Sequence, residues 1–156
     1  MSSKGKSVKE KKSIGVDDPK IIGTIWLPTG AERVGGYVMV PYLEHEIKVE
    51  FFPAKMELIV VLNEIRMLDI ESDMLPELRG WRRYPKLIPM LRNSYQQVTS
   101  LQRTVSVINR KFREAAEIVL PDELVPPLID TRRSFGVHLH WPFRVVAPED
   151  HIVSWP

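Results

Sequence analysis

The sequence contains no cysteine, and this absence removes several classes of function. Disulfide bonds, metal sites built on thiolates and cysteine nucleophiles are all excluded. Because nothing in the chain needs an oxidising compartment, we expect it on the cytoplasmic or nuclear side of a membrane. No apolar run approaches the roughly 18–20 residues that span a bilayer, so we expect any membrane contact to be peripheral.

The sequence also lacks the short motifs that mark common catalytic sites. The nucleophile-elbow pattern G-x-S-x-G, the phosphate-binding P-loop, the dinucleotide-binding pattern G-x-G-x-x-G and the metalloprotease pattern H-E-x-x-H do not occur. We therefore predict that the chain is not an enzyme and that it uses neither a cofactor nor a small-molecule substrate.

His138 and His140 are separated by one residue in a segment that alternates like a β-strand. Side chains at positions i and i+2 point to the same side of a strand, so the two imidazoles could hold one metal ion. No third ligand follows at a recognised spacing, although Glu149, Asp150 and His151 come later in the chain. The simpler interpretation places both histidines on the exposed face of an edge strand, and we predict no metal site. The residues pointing inwards would then be Val137, Leu139 and Trp141.

Acidic residues are absent from residues 79–113, which contain nine basic residues. Residues 44–77 have the opposite bias, with nine acids and three basic residues. The whole chain is nevertheless almost neutral, with a formal net charge of +2. This separation predicts a local positive field on a nearly neutral molecule.

We expect two basic segments, residues 1–20 and 79–113, to contact an anionic partner. The planar guanidinium of arginine binds two phosphate oxygens at once, and each lysine near an anionic bilayer adds about 1 kcal/mol of attraction. The candidate binding residues are Lys4, Lys6, Lys9, Lys11, Lys12, Arg79, Arg82, Arg83, Lys86, Arg92, Arg103, Arg110 and Lys111. Three interpretations stay open: an anionic membrane, a nucleic acid, or a solvated surface that only offsets the acidic segment.

Hydrophobic periodicity predicts an α+β fold, with a small, mostly antiparallel sheet packed against one long amphipathic helix and one shorter helix. Residues 1–20 are expected to form a disordered basic arm, and residues 21–156 a single globular domain. The predicted strands cover residues 21–26, 37–40, 43–52 and 135–146. Residues 121–134 and 147–156 are expected to be irregular, because prolines interrupt the first of these segments.

The sequence predicts two helices, and each prediction has a strand as its alternative. Pro53 favours a helix over residues 54–68, although the continuous apolar run at 58–62 could also be a buried strand. Apolar residues spaced three and four apart from Leu87 to Val119 predict the long helix over residues 90–119. Its β-branched residues leave a strand through 103–109 as the alternative.

The tetrapeptide Tyr84-Pro85-Lys86-Leu87 matches the Y-P-x-L pattern of late-domain motifs, which viral structural proteins use to recruit budding machinery. Pro85 is equally well explained as the start of a helix.

Four segments in order resemble a small matrix protein of a non-segmented negative-strand RNA virus, of the rhabdovirus type. The segments are MSSKGKSVKEKKS at 1–13, EIKVEFFPAKMEL at 46–58, RGWRRYPKLIPML at 79–91 and FGVHLHWPFRVV at 135–146. The resemblance implies a virion structural protein that coats the inner leaflet of an anionic membrane, contacts the nucleocapsid and self-associates into an oligomer or lattice. The alternative hypothesis is an RNA-binding subunit of a ribonucleoprotein particle, which would use the basic segment 79–113.

Overall fold

The computed structural model describes residues 21–28, 35–92 and 97–147. The predicted basic arm at 1–20, with its five candidate lysines, lies outside these ranges, and so does the chain from residue 148 onwards. Six strands and three α-helices are present in the described residues. They are β1 (Gly23–Trp26), β2 (Gly36–Tyr42), β3 (His45–Phe51), α1 (Pro53–Glu71), α2 (Tyr84–Leu87), α3 (Val98–Val119), β4 (Ile129–Arg132), β5 (Gly136–Leu139) and β6 (Phe143–Val146).

The strands form two sheets, and the helices pack against both, so the α+β fold class predicted from the sequence is confirmed. The larger sheet has the order β3-β2-β1-β6, with antiparallel pairing except between β1 and β6. The smaller sheet is the antiparallel β4–β5 hairpin, which gains a single bridge from Arg82 to Val137. Short 3-10 turns at Pro76–Leu78 and Ile88–Met90 connect the helices.

Helix α1 lies between the two sheets, since it contacts both β2 and β5. This position explains the continuous apolar run at 58–62, because every residue of that run is buried. Pro53 occupies the first turn, where a missing N–H costs nothing. The predicted helix over 54–68 is therefore confirmed, and the alternative of a buried strand is wrong.

Helix α3 presents one apolar face to strand β3. Its buried residues are Leu101, Val105, Ile108, Phe112 and Ala116. The β-branched residues in 103–109 are helical, so the alternative of a strand there is wrong: burial of a sustained apolar stripe outweighs a weak intrinsic preference. The helix begins at Val98 and not at residue 90, since Leu91 has an extended backbone after the 3-10 turn around Pro89.

The strand predictions need four corrections. Strand β2 continues through Pro41 to Tyr42, because β1 pairs with β2 only as far as Met39 and the proline then faces a single neighbour. Leu43 and Glu44 form the β2–β3 turn with positive φ angles, so β3 begins at His45 and not at residue 43, and Leu43 is exposed.

At the other end of the chain, the single predicted strand over 135–146 is two strands in different sheets, β5 and β6. The break occurs around Pro142, which follows the buried Trp141. The segment predicted to be irregular at 121–134 contains β4, whose four residues are too few to show a period. No helix in the described part of the chain is long and apolar enough to cross a membrane.

Candidate anion-binding groove

A surface groove with a volume of about 630 Å³ lies between α2, α3 and the β4–β5 hairpin. Its walls are residues 83–85 at the start of α2, one face of α3, and residues 131–133 with Gly136 from the hairpin. Among the residues that the structure describes, the wall includes three arginines, Arg83, Arg132 and Arg133, and no acidic residue. We call this feature the arginine groove.

The tight pairing around Gly136 brings the arginines together. Gly136 has a φ of +98°, and a Cβ there would lie 1.9 Å from the carbonyl oxygen of Arg82. Only glycine allows the chain before α2 to approach the hairpin this closely. Backbone hydrogen bonds between Arg82 and Val137 then fix the register of the two segments.

Arg83 is held at the tip of the hairpin, because its Nε donates to the carbonyl oxygen of Ser134 at 3.1 Å. Its neighbour Arg132 places its guanidinium over Trp81 and Phe135, with 5.6 and 5.4 Å to the two ring centroids. Both arginines are exposed, as is Arg133. A fixed guanidinium loses less conformational entropy when it binds an oxyanion, so these contacts favour anion binding.

The helical wall of the groove is polar apart from Val105. The side-chain amide of Asn109 forms two hydrogen bonds within the protein: its Nδ2 donates to Ile129 O and its Oδ1 accepts from Ile129 N, both at 2.9 Å. This pair of bonds attaches β4 to α3. Gln102 and Ser106 add an amide and a hydroxyl to the same wall. Burial raises the pKa of Tyr84, so its phenol stays neutral and can donate a hydrogen bond at physiological pH.

An ion pair beneath the groove holds the segment 79–82 against α1. Arg82 donates to both carboxylate oxygens of Asp69, at 2.9 and 3.0 Å, and the Gly80 N–H donates to the same carboxylate at 2.8 Å. Burial alone would raise the pKa of Asp69, but these hydrogen bonds and the charges of Arg82 and Arg79 hold it below its usual value. Arg82 is therefore a structural residue.

Asp130, His138 and His140 form a second polar cluster, on the hairpin itself. Asp130 Oδ2 lies 3.0 Å from His138 Nε2 and 2.9 Å from His140 Nδ1. His138 Nδ1 lies 3.2 Å from the carbonyl oxygen of Arg79. Burial would raise the pKa of Asp130, but hydrogen bonds and charge from the two histidines lower it to about 2.

His138 is not on an exposed face, and this part of the sequence interpretation is wrong. The side chain is buried, and its ring stacks on Trp81 with 3.7 Å between centroids. Both faces of β5 are covered: Trp81 stacks on His138, and Val137 and Leu139, which alternate with it, belong to the hydrophobic core. The inward positions of Val137, Leu139 and Trp141 are confirmed. Within residues 21–28, 35–92 and 97–147, no group of three or more metal-ligating side chains is placed to hold a metal ion.

The predicted basic residues in the described part of the chain do not form one surface. Of these eight candidates, only Arg83 lines the groove. Arg79 donates from Nε to Met74 O at 2.7 Å, and Arg110 forms an exposed ion pair with Glu114 at 3.9 Å. Lys111 lies on a different face of α3, with its ammonium 5.8 Å from the centroid of the Phe51 ring.

The remaining candidates in the described residues, Lys86, Arg92 and Arg103, are exposed and do not line the groove. The backbone N–H of Arg92 donates to Glu57 at 2.5 Å. Sequence reasoning missed Arg132 and Arg133, because they lie in a C-terminal region with net negative charge. Their position as adjacent arginines at the end of a short polar segment was the available signal.

The tetrapeptide at 84–87 forms helix α2. Leu87 is fully buried, so a protein that reads the late-domain pattern would need this turn to unfold. Tyr84 and Pro85 contribute to the wall of the groove instead.

A second, smaller cavity of about 260 Å³ lies at the opposite side of α3, beside strands β2 and β3. Its wall includes the stacked pair Trp26 and Tyr37, whose ring centroids are 5.4 Å apart, and the exposed ring of Phe52. Glu50 and Lys111 supply one charge of each sign, so this cavity has no electrostatic preference for an anion.

Comparisons with protein-family models, with curated proteins and with solved structures find no match to this chain.

Proposed function

We propose that this chain is a non-catalytic assembly protein of matrix type, which self-associates and binds a phosphate-bearing surface through the arginine groove. The phosphates belong to an anionic membrane, to a nucleocapsid-type partner, or to both. The protein works at the membrane periphery in this proposal, and its basic arm at 1–20 adds to the attraction.

The observation that supports the proposal is the convergence of Arg83, Arg132 and Arg133 in a groove wall without acids. Three guanidinium groups on one concave surface focus a positive potential on a molecule whose formal net charge is only +2. Each guanidinium group can donate hydrogen bonds to two phosphate oxygens. Gln102, Ser106 and Tyr84 add neutral hydrogen-bonding groups beside the charges.

The test compares the double variant Arg132→Ala/Arg133→Ala with the wild type and with Arg144→Ala. Arg144 is an exposed arginine of β6 that does not line the groove, so it controls for loss of charge alone. Two ligands are used: vesicles with or without phosphatidylserine, in co-sedimentation, and a labelled single-stranded RNA oligonucleotide, in a fluorescence titration.

We expect the double variant to lose at least about tenfold in affinity for the phosphate ligand at physiological salt. For RNA, the slope of log K against log salt should become shallower by roughly 1.4, since two phosphate contacts each contribute about 0.7 on a single strand. Equal binding by the double variant and Arg144→Ala would contradict the proposal.

The second candidate function is an RNA-binding subunit of a ribonucleoprotein particle. Its supporting observation is the concave shape of the groove, because a nucleic-acid strand can follow a groove whereas a flat bilayer contacts protruding residues. Tight RNA binding that depends on the groove, with no binding to anionic vesicles, would favour this candidate over the matrix type. Vesicle binding lost on deletion of residues 1–20 would favour the matrix type.

A further inference from the structure

The end of helix α1 carries a face that the fold leaves open. Glu64, Met67, Leu68 and Glu71 follow the spacing i, i+3, i+4, i+7, so they lie on one side of the helix. All four are exposed. The first half of the same face is covered: Val61 is buried, and so is Glu57, which accepts a hydrogen bond from the Arg92 N–H.

The chain that follows α1 also exposes apolar side chains. Large apolar side chains in residues 67–78 have exposed fractions between 37% and 59%. They are Met67, Leu68, Ile70, Leu75 and Leu78. Exposed acids are interspersed with them, at Glu64, Glu71, Asp73 and Glu77. We call these residues the apolar–acidic patch.

Contiguous exposed apolar surface with a charged rim marks interaction sites in soluble proteins. Negative charge at its rim requires a positively charged partner, since like charges across an interface cost several kcal/mol. The arginine groove of the same chain is complementary to this patch, because it combines apolar side chains with positive charge. Tyr84, Pro85 and Val105 supply apolar wall, and three arginines supply positive charge.

We propose that the apolar–acidic patch of one copy docks into the arginine groove of a second copy. This inference rests on the proposed assembly role and assigns the two surfaces that make the contact. The mode is a helix laid in a groove, with Met67 and Leu68 against the apolar wall and Glu64 and Glu71 facing arginines.

The patch and the groove are two different surfaces of the chain. The patch begins on α1, which contacts β5, whereas the helical wall of the groove is α3, which contacts β4. When the patch of one copy binds the groove of another, the pair still has one free patch and one free groove. The contact can therefore repeat head to tail and form a ring or a filament. Two helical turns bury less than the roughly 1,200 Å² of a stable interface, so each contact is weak and salt-sensitive. Phosphate and the second copy then compete for one groove.

The experiment is a charge swap measured by sedimentation velocity. One variant carries Glu64→Lys, Glu71→Lys and Glu77→Lys, which turn the four-acid patch net positive, and the other carries Arg132→Glu and Arg133→Glu in the groove. All five positions are exposed. Circular dichroism and thermal unfolding, compared with the wild type, check that both variants fold.

We expect the wild type to associate at about 50 mM salt and to dissociate at about 500 mM, where the screening length is short. Each variant alone should be monomeric, because its patch and its groove carry the same sign. An equimolar mixture should associate again, since each patch then meets an oppositely charged groove. Leu68→Ser should weaken association, whereas Leu124→Ser, at an apolar residue that is 95% exposed elsewhere, should not.

A monomeric wild type at low salt, or a mixture that stays monomeric, would overturn the inference. Association that is lost on deletion of residues 1–20, with no recovery in the mixture, would identify the basic arm as the occupant of the patch and would also overturn it. The patch variant separates this inference from the proposed function, because its groove is intact and no longer occupied by a second copy, so it should bind RNA or anionic vesicles at least as tightly as the wild type does.

Discussion

Neighbouring arginines in this chain perform different tasks, and the difference arises from where each side chain points. Arg82 forms an ion pair with Asp69, whose side chain is almost fully buried, whereas Arg83 lines the groove. Such a buried carboxylate depends on its cation, because removing one partner leaves an uncompensated charge.

We expect Asp69→Asn to lower the free energy of unfolding by about 2 kcal/mol, since Arg82 and the Gly80 N–H lose their anionic acceptor. Urea denaturation at neutral pH measures the change. The control is Asp73→Asn at an exposed position with a φ of +62°, which asparagine tolerates well. Equal midpoints for the two variants would show that the ion pair contributes nothing.

Asp130 makes stability depend on pH in the acid range. Its folded-state pKa of about 2 lies below the ordinary value of 3.8, so its contribution is complete above pH 5 and is lost as pH falls through about 2. The shift corresponds to a contribution on the order of 2 kcal/mol. Asp130→Asn should therefore be less stable than the wild type by this amount at pH 6, with the difference vanishing near pH 2. Denaturation curves across this range test it, with the exposed Asp122→Asn as control.

At the scale of elements, the position of the β4–β5 hairpin determines which side chains line the groove. It brings Arg132 and Arg133 to Arg83, and Asn109 attaches its first strand to α3. The hairpin is short, so its position depends on the close approach of Gly136 to the backbone of Arg82.

Gly136→Ala should destabilise the protein by about 2–3 kcal/mol, because the φ of +98° is unfavourable for alanine and the new Cβ overlaps the Arg82 carbonyl. Phosphate-ligand affinity should fall as well, since the arginines move apart. Ser134→Ala is the matched control: only its backbone carbonyl binds Arg83. An unchanged melting temperature in Gly136→Ala would contradict this account of the hairpin.

At the scale of the whole molecule, α1 joins the two sheets into one packed core. The buried apolar residues of both sheets and of α1 and α3 belong to a single cluster. A shared core predicts cooperative unfolding, as expected for a chain of this size. That residues 21–156 form one domain remains a prediction, and unfolding tests it.

Two of the four tryptophans lie at different sheets: Trp26 lies in β1, and Trp81 stacks on His138 of β5. The emission that is lost when one of them is replaced therefore reports on one sheet. We expect the variants Trp26→Phe and Trp81→Phe to give fluorescence transitions that coincide with their own circular dichroism transitions in urea. A hairpin that unfolds at a lower urea concentration than the larger sheet would show two separate units.

The sequence by itself determined the properties that depend on composition and on local periodicity. The absence of cysteine excluded thiolate chemistry, Pro53 with its apolar run indicated α1, and the apolar stripe from Leu87 to Val119 indicated the long helix α3. These features are visible because a helix repeats its pattern within a few residues, so neighbours along the chain are neighbours in space.

Only the tertiary structure decided which charges act together. Arg83 meets Arg132 and Arg133 across about fifty residues of sequence, through the backbone bridge from Arg82 to Val137. The same contacts placed Arg82 in an ion pair, buried His138 and moved Lys111 to another face of α3. Long-range pairing of short strands leaves no period in the sequence, and a segment with a net negative charge can still place two arginines in a positive groove.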